Sequence, residues 1–158
     1  ELTRASHEAA KLKEFLLRKG NNLESLWGPL WFDAVLISAP PSEALGIAET
    51  IRSEWIDTAR LVVHAQCVTE KTTPAADVIR IVMKNEKEIT KDYEDWQGGL
   101  ILASSHETHL LTRMGKPFTG FHIALPSHDE VHFSDLPQCG LRGAGYLYEQ
   151  LWNAKLRK

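Results

Sequence analysis

The residues able to do chemistry crowd into the C-terminal half of the chain. His106 and His109 stand three apart and can share a helix face, while His122, His128 and His132 fall on the strand and loop that follow. Imidazole clusters bind transition metals. No carboxylate or thiol accompanies these histidines at a zinc-motif spacing, so capping and surface histidines remain the competing reading. Ser104, Ser105 and His106 end an apolar run and open a helical pattern. Their hydroxyls and unbonded N–H groups could receive an anion or a polar ligand group, against simple capping by Ser105. Ser105, Asp129 and His132 hold the residue types of a hydrolytic triad, but Ser104–Ser105 lacks the G-x-S-x-G elbow that exposes a nucleophile.

Several classes are excluded by what the sequence lacks. The turn Ser38-Ala39-Pro40-Pro41 stands where a dinucleotide fold would carry G-x-G-x-x-G, and its two prolines remove backbone donors that would hold a pyrophosphate. Cys67 and Cys139 are too few for a disulfide scaffold and lack CxxC spacing. The net charge is −3 with both signs interspersed, and the basic tail Lys155–Lys158 reads as a solvated helix end, so nucleic acid is not an expected partner. No apolar stretch approaches the ~20 residues of a membrane span. No signal-peptide pattern opens the chain, and a cytoplasmic location is expected.

The elements that must position these residues alternate. Ala5, Ala9, Leu12, Phe15 and Leu16 recur at helical spacing, and Gly20-Asn21 is expected to stop a leading helix over 4–19. Residues 22–31, with Trp27 and Trp31 around Gly28-Pro29, read as an aromatic-packed connector. Short apolar runs at 32–38, 60–65, 78–83, 100–104 and 118–124 predict strands. Helical patterns fill the gaps: Leu45 to Trp55, 86–97 behind an Asn85/Glu88 capping box, 105–114, and about 142–156. Residues 126–139 read as a long functional loop.

This alternation implies one α/β domain over 1–158, with 1–31 as leading helix and connector. It predicts a doubly wound, mainly parallel sheet of about four or five strands, with helices on both faces in a Rossmann-like three-layer arrangement. Ligands of such sheets gather at the carboxyl ends of the strands, which makes Ser38, Ser104, Ser105 and His106 the candidate cofactor contacts.

One stretch resembles a known family. LILASSHET, then the helix closed by Met114-Gly115-Lys116-Pro117-Phe118, then a strand, is similar to the final domain of nitrogenase component-one-type subunits. Gly140-Leu141-Arg142-Gly143-Ala144 resembles the G-x-x-G-A opening of that family's last helix. The resemblance covers the whole chain in layout and residues 95–148 in motif. It implies a part of a larger subunit, as does a chain starting at Glu1, and Pro40-Pro41 in place of glycines suits a divergent or assembly-type member.

The resemblance further implies a domain that contributes to an iron–sulfur or other metallocluster, or a tetrapyrrole cavity, with none held tightly by the domain alone. The implied partners are a homologous subunit and an ATP-dependent reductase, and no activity is expected in isolation. His122 stands four residues after Pro117-Phe118, where catalytic members carry a metal-cofactor ligand. A strand histidine bonded to a backbone carbonyl is the competing reading. A self-contained small-ligand or metal-chelate binding module is the alternative function, since the same layers serve both.

Overall fold

A computed structural model describes residues 2–65, 71–73, 79–83, 86–123 and 140–157. Its elements are α1 (Leu2–Trp27), β1 (Trp31–Ala39), α2 (Pro41–Thr50), a π-helical turn (Ile51–Trp55), β2 (Asp57–Ala65), β3 (Lys71–Thr73), β4 (Ile79–Met83), α3 (Glu86–Glu94), β5 (Leu100–Ala103), α4 (Ser105–Arg113), β6 (Thr119–His122) and α5 (Gly140–Leu156). The strands form one sheet in the order β3-β4-β2-β1-β5-β6. Every pairing is parallel except β3 with β4. The expected doubly wound sheet is present, with the short antiparallel edge β3 added to it.

The runs that predicted strands did so because they are buried from both sides. Residues Ala34 to Ala39 of β1 are all buried, as a central parallel strand requires. Side chains of successive residues alternate between faces. Val35, Ile37, Val63 and Leu102 meet α2 and α5 through Ala44, Ala48, Leu151 and Trp152. Leu36, Val62, Ile101 and Ala103 meet Tyr93 of α3, Leu111 of α4 and Trp96 of the segment that follows α3. A fully buried leucine such as Leu36 carries about 2–5 kcal/mol against truncation to alanine, so this two-sided core dominates the fold's stability.

Two expectations are corrected. The leading helix does not stop at Gly20 but continues to Trp27. Gly20 is buried, and a Cβ there would stand 2.0 Å from the Tyr148 hydroxyl of α5. The missing side chain is used for helix–helix contact, not for termination. The helix after β1 likewise does not run regularly to Trp55, because Ile56 N–H donates to Ile51 O at 3.0 Å and the last turn is π-helical.

The sheet reverses direction about β1. From β1 the chain proceeds through β2 to β4 on one flank, then α3 returns it to β5 and β6 on the other. Since α2 and α4 cover opposite faces, the carboxyl ends of β1 and β5 flank a topological switch point. Gly99 makes the approach possible: at φ +137° its position holds no Cβ, which would lie 2.2 Å from Ala34 O.

Candidate functional site

Ser38 ends β1 and Ser104 follows β5, so the two serines flank the switch point. Between them lies the Glu107 carboxylate from the first turn of α4. Ser38 Oγ donates to Glu107 Oε1 at 3.0 Å, and Ser104 N–H donates to Oε2 at 3.1 Å. The Ser104 hydroxyl also donates to Oε2 and accepts from His106 N–H at 3.3 Å. Ser104, not Ser105, is therefore the N-cap, and with Glu107 it completes a capping box. The helix N-terminus that could receive an external anion already holds a carboxylate of the chain itself.

The network continues beneath α3. Tyr93 is hydrogen-bonded to Ser38. Burial, the nearby Glu107 charge and, more weakly, Asp92 push the Tyr93 phenol well above its ordinary range, and the Ser38 bond offsets only part of this. Alongside, His64 on β2 pairs in register with Ser38 and presents Nε2 to Asp92 Oδ2 at 3.0 Å. Both residues are 1% exposed, and Arg60 reaches the other carboxylate oxygen at 3.4 Å. The rings of His64 and Tyr93 meet edge-on at 5.4 Å, joining the two halves of the cluster. Among the described residues His64 Nδ1 has no hydrogen-bond partner.

His122 ends β6, opposite Ala103 in register, and is half-buried. Its Nε2 lies 3.1 Å from the Thr108 hydroxyl. With its proton given to Ser105 O, 3.0 Å away, that hydroxyl accepts from His122 and Nε2 is the protonated nitrogen; the other tautomer reverses the bond. In the neutral ring Nδ1 then carries the lone pair. This fits a ligand whose far nitrogen is held by a supporting oxygen. Among the described residues no group of three or more His, Cys, Asp or Glu could hold a metal, so His122 would be one donor of a set completed elsewhere.

The structure thus brings Ser38 and Ser104 together through Glu107, and Ser105 and His122 together through Thr108. Ser105 is fully buried, whereas His106 and His109 are exposed on α4. Cys67, His128, Asp129, His132, Cys139 and Asn85 lie outside the described residues, as does the 126–139 loop. Sequence reasoning missed His64, Asp92 and Tyr93, because each sits alone in an apolar or helical pattern. The signal that was available is Asp92-Tyr93 on the buried face of a helix otherwise rich in exposed charge.

No family model matches the sequence, and no curated protein matches it. Among solved structures, a chain described as nitrogenase Cp1 at pH 6.5 superposes with a TM-score of 0.62 at 14% identity. The fold is similar to one part of that chain. The match takes in 98% of this chain and 33% of that one, so the chain spans about a third of the length of its structural neighbour. Among the described residues no helix is long and apolar enough to cross a membrane.

Proposed function

We propose that this chain is a domain of a nitrogenase-like, component-one-type oxidoreductase or cofactor-assembly subunit. Its strand-end loops contribute to a metallocluster or tetrapyrrole cavity that other parts of the assembly complete. The observation that carries the reading is the fold match over 98% of the chain to a third of a nitrogenase chain. In this reading His122 holds a metal through Nδ1, with Thr108 and Ser105 fixing its ring. Ser38 and Ser104 hold Glu107 at the switch point, and exposed His106 reaches the ligand from the first turn of α4. A bound metallocluster supplies electron storage at that end of the sheet. The partners are a homologous subunit and an ATP-dependent reductase, the location is the cytoplasm, and the domain by itself does not turn over.

The test is anaerobic purification of the intact protein with the subunits that accompany it, followed by iron analysis and low-temperature electron paramagnetic resonance. The expected result is an iron-containing assembly whose spectrum changes in His122→Ala. A protein that neither takes up iron on reconstitution nor associates with a second subunit would overturn the reading and leave the self-contained binding module in its place.

A further inference from the structure

Beneath α3, at the carboxyl end of β2, His64 and Asp92 form a pair that the proposed cofactor role leaves unused, and each is 1% exposed. We propose that His64 is a metal donor through Nδ1, for a borderline divalent ion such as zinc, at a position separate from His122. Asp92 has contacts on both oxygens, with His64 Nε2 at 3.0 Å and with the Arg60 guanidinium at 3.4 Å. A carboxylate paired with a guanidinium only accepts, so Nε2 carries the ring proton and the lone pair of the neutral ring lies on Nδ1. That nitrogen is buried and has no hydrogen-bond partner among the described residues.

The arrangement is that of a metal-binding imidazole. Such rings give their far N–H to a carboxylate, which fixes the tautomer and makes the ligating nitrogen more basic. Stability alone does not account for the pair, because apolar side chains of similar volume often serve a core as well as buried ions do. Size selects an ion over an organic ligand. Zinc sits about 2.0–2.1 Å from an imidazole nitrogen, inside hydrogen-bond distance, and so needs no chamber of its own. Position separates this ion from the group at His122. His64, Ser38, Ala103 and His122 stand in one register row across β2, β1, β5 and β6. Three strand spacings, about 14 Å, lie between the two histidine backbones, too far for one ion to bridge. No group of three or more His, Cys, Asp or Glu among the described residues could hold the metal, so His64 is one donor of a set completed beyond them.

The experiment is zinc titration of the intact, chelator-stripped protein, followed by nitrogen-15 spectra of the histidine rings and by calorimetry. Before zinc is added, His64 is expected to show Nε2 protonated and Nδ1 bare. Zinc should then shift the His64 Nδ1 resonance and saturate at one ion per chain for that ring. His64→Gln should remove this ion, Asp92→Asn should weaken it about 10–100-fold, and His122→Ala should leave it in place. A His64 proton on Nδ1, a His64 ring unmoved by zinc, or an ion that survives His64→Gln would each overturn the proposal. So would unchanged affinity in Asp92→Asn, or loss of the His64 shift in His122→Ala. The tautomer and the zinc shift are read in the wild-type protein and stand even where a variant fails to fold. None of these readouts involves iron, so failure here leaves the proposed cluster role to its own test.

Discussion

The Ser38 hydroxyl of β1 donates to the Glu107 carboxylate of α4 at 3.0 Å across the point where the strand order of the sheet reverses. Open α/β sheets gather ligands in this crevice, and here a carboxylate of the chain lies in it. The same carboxylate caps its own helix, so one side chain ties α4 to β1 and also closes the α4 N-terminus.

Glu107→Gln should therefore destabilise the fold although it preserves shape. The carboxylate accepts from Ser38 Oγ, Ser104 N–H and Ser104 Oγ, and glutamine would turn an –NH2 group toward donors. Hydrogen bonds to a charged group contribute about 1.5–3 kcal/mol, and a loss of that order should appear in urea unfolding. A loss within a few tenths of a kcal/mol would mean that solvent replaces the carboxylate freely.

Tyr93 predicts an alkaline limb of stability. Its phenol titrates above the ordinary value of 10.0 in the folded chain because burial opposes the phenolate. As pH rises past the unfolded value, the unfolded chain loses this proton while the folded chain keeps it. Stability from this group is thus complete below about pH 10 and falls as pH rises above it. Denaturant unfolding at about pH 9 to 11 should show the decline, and Tyr93→Phe should flatten it.

The strand pattern was readable because a parallel sheet buried on both faces leaves continuous apolar runs such as Ala34 to Ile37 and Leu100 to Ala103. Element ends were less readable. Gly20 carries the composition of a helix stop, yet its use is set by Tyr148, 128 positions further along, and local sequence holds no trace of that contact. The site divides in the same way. Ser38, Ser104 and His122 announce themselves by standing at strand ends, where the apolar pattern breaks. The side chains that hold them, Glu107, Tyr93 and Thr108, lie on helices, and only the fold shows which strand end each one meets.

The Gly20 contact is itself testable. Gly20→Ala gains about 1 kcal/mol of helix propensity in isolation, but its Cβ would stand 2.0 Å from the Tyr148 hydroxyl. The net effect should be destabilising by about 1–3 kcal/mol, as for other overpacked sites. Removing the obstructing oxygen with Tyr148→Phe should restore part of the loss, so the double mutant should be more stable than additivity allows. Additive effects in thermal or urea unfolding would show that α1 and α5 do not meet there.

His122 offers the sharpest local prediction, because its tautomer follows from counting protons. The Thr108 hydroxyl has one proton and gives it to Ser105 O, which can only accept. With the proton there, the contact with His122 Nε2 at 3.1 Å runs from ring to hydroxyl. Nitrogen-15 spectra of the neutral ring, recorded at alkaline pH, should show Nε2 protonated and Nδ1 bare, whether or not a metal ever binds. Thr108→Ser keeps the acceptor and should preserve that tautomer, whereas Thr108→Val removes it and should release the constraint. If the wild-type ring carries its proton on Nδ1 instead, Thr108 must be the donor and the lone pair lies on Nε2, facing the helix. His122 could not then serve a metal through Nδ1, and the ligand role assigned to it would fall with the tautomer.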